Sequence, residues 1–156
     1  MKLQMKNPLA IALTTLMVIM MAAYSALPIY AMPIFGVAYG WEYISALVEA
    51  GKYCDVIPFL MPYFGGIAVT VCAFSNSRGL HLLSVSFSTL PAMFFGYFAY
   101  ILSSALKSGM FSEVVTLSMA MHWSVWMTLA LSLVAIIISV IMVKADNKKF
   151  KYGLIK

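Results

Sequence analysis

Charged residues divide this chain into four long uncharged windows. Counting only Asp, Glu, Lys and Arg, 35 residues separate Lys6 from Glu42, 22 separate Asp55 from Arg78, 28 separate Arg78 from Lys107, and 30 separate Glu113 from Lys144. Roughly 20 apolar residues carry a helix across a hydrocarbon core of about 30 Å, so each window holds one crossing. The pattern predicts an all-α membrane protein, an antiparallel four-helix transmembrane bundle. Its crossings fall at about 8–30, 57–74, 82–106 and 117–143, within a single integral membrane domain spanning 1–156.

Asn7 before Pro8 fits a cap and first-turn pair for the first helix, because proline at the first helical position gives up a donor that has no partner there anyway. Pro28 and Pro33 then rule out one straight helix through the whole first window, since proline removes a backbone hydrogen bond and clashes with the preceding turn. Two lysines, a long apolar stretch and the small residues Ala22, Ala23, Ser25 and Ala26 also fit a secretory signal peptide. Cleavage there leaves three crossings. The apolar stretch is longer than a usual signal core, and it is kept here as the first span.

Composition strengthens the membrane reading: 63% of the 156 residues are apolar, 10% are charged, and the mean hydropathy is +0.96. A soluble domain is nearer half apolar and a quarter charged. These proportions exclude a large soluble enzyme, a disordered chain, a disulfide scaffold and a free nucleic-acid-binding domain. Charge then sets orientation. Lys2, Lys6, Arg78, Lys144, Lys148, Lys149, Lys151 and Lys156 with Asp146 give one side +7, while Glu42, Glu49, Lys52, Asp55, Lys107 and Glu113 give the other −2, together the net +5. The positive side is expected to be cytoplasmic, with both termini on it, in a plasma or inner membrane.

The outer loop 31–56 is the largest non-spanning piece. From Trp41 to Lys52, the apolar residues Trp41, Ile44, Leu47 and Val48 recur at helical spacing among Glu42, Ser45, Glu49 and Lys52. This predicts a short amphipathic outer helix with its tryptophan at headgroup depth. Trp41, Glu42, Ile44, Glu49 and Lys52 form a candidate interaction surface, against the plainer role of a cap over the bundle. Gly36 and Gly40 make a GxxxG spacing, which either packs two helices or marks a turn. The basic tail 144–156 sets topology, and Lys144, Lys148, Lys149 and Lys151 are expected to contact anionic lipid headgroups.

Within the spans, chemistry is sparse. All five acids fall outside the four crossings, which argues against a carrier coupled to protons or sodium. His81 is expected at the cytoplasmic border and His122 at the outer one, too far apart to share a metal. Cys54 and Cys72 lie 18 residues apart, about 27 Å along a helix, well beyond disulfide reach. No HExxH, GxSxG, P-loop, CxxC or Rossmann glycine pattern occurs. Catalytic, cofactor and metal residues are therefore all read as none, and the chain is not read as an enzyme.

The third span carries Ser84, Ser88 and Thr89 before Pro91, then Ala92 and Gly96; the second carries Pro58, Pro62, Gly65 and Gly66. Ser84, Ser88, Gly96, Gly65 and Gly66 are candidates for close helix packing or for a path for a neutral solute. Thirteen scattered methionines fit adaptable packing rather than a metal relay. A long first outer loop is a layout shared with tetraspan proteins such as claudins, but the paired cysteines of that loop are missing. The leading expectation is a non-catalytic subunit or accessory partner of a membrane complex, bound to another membrane protein or to itself, with no nucleic acid. A small channel or carrier and an immunity or exclusion factor against a membrane-active toxin are the alternatives.

Overall fold

Asn7 opens the first helix as its place before Pro8 predicts: its side-chain oxygen accepts from the Leu9 backbone N–H at 3.1 Å. In the computed structural model, which describes residues 7–32, 36–75, 77–108 and 121–151, this helix, α1, runs Pro8–Ala26. Two strands follow, β1 (Pro28–Met32) and β2 (Gly36–Tyr39), then α2 (Gly40–Glu49), α3 (Tyr53–Ala73), α4 (Arg78–Ser88), α5 (Leu90–Lys107) and α6 (Trp123–Lys151).

Four stretches are long and apolar enough to cross a membrane: α1, α3, the α4–α5 pair and α6 to Asn147. At most 44% of any of these windows is buried inside the protein. Large side chains such as Ile19, Phe64, Ile67, Val71 and Ile137 stand more than half exposed. Leaving such a side chain in water forgoes about 1.5–3 kcal/mol, so surfaces this apolar belong in lipid. The chain is a multi-pass membrane protein.

Each long helix contacts two others and leaves one diagonal: α1 meets α3 and α6, and α4 and α5 meet α3 and α6 in turn. The inward faces repeat at alternating steps of three and four, Ala10, Leu13, Met17, Met20 and Tyr24 on α1 and Thr128, Ser132, Ala135, Ser139, Met142 and Asp146 on α6. This is the seam of helices packed nearly antiparallel. Two clusters mark the two ends. Ala10, Leu13, Val69, Ala73 and Met142 join the start of α1 to the ends of α3 and α6. Tyr24, Ile29, Phe59, Phe98, Leu102 and Val125 join the opposite end.

The boundaries correct the sequence reading in four places. The first helix stops at Ala26 rather than 30, because Pro28 and the residues after it form a β-hairpin, Tyr30 opposite Ala38 and Met32 opposite Gly36, that the outer loop 31–56 was not expected to contain. Met121 adds a bridge to Tyr30, and the His122 N–H donates to the Ile29 carbonyl at 3.2 Å. The second helix starts at Tyr53, four residues before 57. The third begins at Arg78 and is interrupted at Thr89, where Pro91 withdraws the N–H that would bond the Phe87 carbonyl. The fourth begins at Trp123 rather than 117 and continues to Lys151, so most of the expected tail is helix. Residues 109–120 and 152–156 lie outside the described residues.

Candidate functional site: a buried ion pair and an aromatic pocket

The seam between α4 and α6 is polar from one end to its middle. His81, Ser84 and Ser88 are buried on α4, opposite Ser139 and Asp146 on α6, where Ser132 continues the same seven-residue interval and is also buried. His81 Nδ1 donates to Asp146 Oδ2, with the two side chains 3% and 10% exposed. The Ser84 hydroxyl donates to the His81 carbonyl at 2.7 Å, the Ser88 hydroxyl to the Ser84 carbonyl at 2.7 Å, and Ser88 and Ser139 hydroxyls lie 3.3 Å apart.

This pair corrects two readings. Asp146 was grouped with the tail; instead it sits in the last turn of the fourth apolar helix, buried against His81. His81, expected at a charged border, is buried. Among the described residues its Nε2 is buried and has no partner, and Ser132 Oγ is likewise unpartnered. The pair joins α4 to α6, and the Ser84 and Ser88 hydroxyls donate to carbonyls of their own helix.

The glycines divide sharply. A Cβ on Gly65 would lie 2.9 Å from the Phe87 carbonyl oxygen, the group freed by Pro91, and one on Gly66 would lie 2.6 Å from Met21 Sδ. Both serve packing inside the protein. Among the described residues nothing lies within 4 Å of that position at Gly96, and Tyr100 one turn on is 70% exposed. Gly36 opens β2 and Gly40 opens α2 against the Tyr24 ring, so the GxxxG spacing does not lie on one helix face.

The α2 residues also separate. The Glu42 carboxylate accepts from the Tyr39 N–H at 2.9 Å, half of a capping box, and Gly51 ends the turn after α2 with φ 69°. Ile44 and Leu47 turn inward with Tyr43, while Trp41 is 56% exposed beside a stacked Tyr39. The apolar stripe read from Trp41 to Val48 is thus two faces. Glu49, reached by the Ser45 hydroxyl at 3.4 Å, and Lys52 are exposed. Lys144 is exposed, and Lys148, Lys149 and Lys151 occupy the last turns of α6.

Under α2 lies the feature the sequence reading missed, a cavity of about 170 Å³ lined by Tyr43, Asp55, Phe59, Tyr97 and Phe98 with aliphatic side chains. Tyr43 stacks on Phe59 at 5.5 Å and 5° between planes. Tyr97 and Phe98 stand at 85° and 79° to the Phe59 ring. The Tyr24 hydroxyl donates to the Phe59 carbonyl at 3.0 Å and fixes α3 beside α1. Burial raises the Tyr43 phenol above its ordinary value, with Tyr30 a second cause, and burial raises Tyr30 as well.

Family models, characterised proteins and solved structures give no match to this chain. Among the described residues no three His, Cys, Asp or Glu side chains converge on a metal position, and Cys54 and Cys72 are free thiols, one exposed and one buried. His122 accepts from the Ser124 N–H at 3.3 Å and lies against Trp123, while the Ser124 hydroxyl donates to the Pro28 carbonyl.

Proposed function

We propose that this chain is a non-catalytic subunit or accessory partner of a membrane complex, an antiparallel four-helix transmembrane bundle docked to another membrane protein, or to itself, along the outward face of α5. The observation that carries this reading is the open surface at Gly96. Gly65 and Gly66 are consumed by packing within the chain, whereas among the described residues nothing lies where a Cβ on Gly96 would be. In lipid, a small residue facing outward lets a second helix approach closely, and van der Waals packing of that kind drives helix association where the hydrophobic effect does not.

The same reading puts the protein in a plasma or inner membrane with both termini cytoplasmic. Arg78, Lys144 and the lysines closing α6 gather at the end that holds the His81–Asp146 pair, and Glu42, Glu49 and Asp55 gather at the other. At about 1.5 Å per residue the 29 residues of α6 exceed a hydrocarbon core of about 30 Å, which brings Lys144, Lys148, Lys149 and Lys151 to the depth of anionic headgroups. Trp41 on the exposed face of α2 suits the opposite interface.

Affinity purification from the native membrane in mild detergent, with stoichiometry by mass spectrometry, tests the reading. A partner or a second copy at fixed ratio is expected, and Gly96→Ile should abolish its recovery while the chain itself inserts normally, because among the described residues nothing lies within 4 Å of a Cβ at this exposed position. Recovery of the wild-type chain alone, as a functional monomer, would overturn it.

A further inference from the structure

The inward face of α6 is polar along most of its length. Ser124, Thr128, Ser132, Ser139 and Asp146 are all buried on it, and α4 lays Ser88, Ser84 and His81 against the half that ends in Asp146. An ionisable group stands at each end of this line: His122, whose Nδ1 lies 3.0 Å from the Ser124 hydroxyl, and the His81–Asp146 pair. Asp146 falls within the fourth apolar span, Trp123–Asn147. An ionisable side chain is costly inside a span, and where one is retained it usually marks a proton or ion pathway.

Packing alone does not account for two groups on this line. The Thr128 hydroxyl donates to the Ser124 carbonyl at 2.9 Å and the Ser88 hydroxyl to the Ser84 carbonyl at 2.7 Å, the ordinary way a hydroxyl is satisfied inside a span. Ser132 Oγ and His81 Nε2 are buried and, among the described residues, have no partner. Alanine at position 132 would fill the same face without stranding a hydroxyl. Lipid tails supply neither donors nor acceptors, and the molecule small enough to reach such groups, able both to donate and to accept, is water. Ser132 and Ser139 are separated by about 10.5 Å along the helix axis. The inward residue between them is Ala135, the smallest side chain on this face, so water anchored at Ser132 is what would carry a hydrogen-bonded chain across that step.

We propose that the α4–α6 seam is a proton path, with hydroxyls and bridging water leading from His122 to the His81–Asp146 pair. A proton arriving along the seam forms an N–H bond at His81 Nε2, the Nδ1–H bond breaks, and that proton passes to Asp146 Oδ2. Asp146 then gives it to water at its own end of the bundle. Turning the ring so that its protonated nitrogen again faces Asp146 resets the pair. The other charged or titratable side chains that the packed helices bring to this end are Arg78, one turn before His81 on α4, the exposed Lys144 on α6 and the buried Cys72 at the end of α3; α1 carries none there. The path runs inside the chain, away from the outward face of α5, and does not depend on the subunit reading.

Proton flux through the full chain in liposomes of phosphatidylcholine and phosphatidylglycerol tests the path. A potassium gradient with valinomycin sets the interior negative, and trapped pyranine reads the acidification. The parent should acidify the interior faster than protein-free liposomes do. Asp146→Asn keeps an acceptor for the His81 Nδ1–H but has no carboxylate to take up a proton, and it should lose the protein-dependent flux. Ser132→Ala removes a hydroxyl that makes no hydrogen bond among the described residues. It should cut the flux several-fold while its unfolding transition in detergent stays at or above the parent's, a split that a merely structural serine would not give. Acidification no faster than without protein, either variant conducting as the parent does, or a Ser132→Ala protein whose stability falls along with its flux would each overturn the proposal.

Discussion

His81 and Asp146, 65 residues apart in the chain, face each other across α4 and α6 in the buried end of the bundle. Taking away one partner leaves the other buried without a counterpart, at a cost of about 3–5 kcal/mol, whereas apolar residues at both positions are often tolerated. His81→Leu and Asp146→Leu should each lower the unfolding transition in detergent strongly. The double variant should unfold at or above the better of the two singles, measured by thermal unfolding monitored by intrinsic tryptophan fluorescence. Additive losses would show that the two side chains act independently.

Gly65 and Gly66 differ in what a methyl group would strike. At position 65 the obstacles are the Phe87 backbone carbonyl at 2.9 Å and Pro91 Cδ at 3.0 Å; at position 66 it is the flexible Met21 side chain. Overpacking costs typically about 1–3 kcal/mol when the neighbours must shift, and less when a long side chain can rotate away. Gly65→Ala should therefore destabilise more than Gly66→Ala, and Gly96→Ala should leave the isolated chain near its parent stability. Detergent unfolding of the three variants side by side checks the order.

The four apolar windows were legible because charge is expensive in hydrocarbon, and the gaps between charged residues therefore record the crossings directly. Helix ends were less so. Pro28 announced a stop, but the β-hairpin after it depends on pairing with Gly36–Tyr39 and with Met121, partners that no local pattern links. Asp146 was hidden by its company: among lysines it reads as part of a solvated tail, and only the seven-residue step from Ser132 through Ser139 points it inward. The aromatic pocket was invisible for a related reason. Tyr43, Asp55, Phe59 and Tyr97 come from three helices, and aromatic residues near an interface read as a belt until their mutual angles are known.

Ser88 and Ser139 lie 3.3 Å apart in the middle of the polar seam, and Ser88 also donates to the Ser84 carbonyl. Hydrogen bonds between membrane helices average about 0.6 kcal/mol, since the separated helices find other partners. Ser139→Ala should thus cost no more than about 1 kcal/mol, well short of either single change at the His81–Asp146 pair. A larger loss in the same unfolding assay would mean that the seam acts as a coupled network.

Tyr43 gives α2 a dependence on alkaline pH whose sign follows from its packing. Its ring stacks on Phe59, and burial, with Tyr30 second, raises the phenol above its ordinary value of 10.0. The folded state favours the neutral phenol, so the stabilisation is fully present below about pH 10 and is lost as pH rises through the folded value. Tyrosinate absorbance of the parent minus that of Tyr43→Phe should titrate above pH 10. Proteolysis within α2 should accelerate over the same range in the parent, while Tyr43→Phe, which keeps the stack and cannot ionise, should resist it. A difference spectrum that titrates at or below pH 10 would place Tyr43 in water and undo the docking of α2 on the bundle.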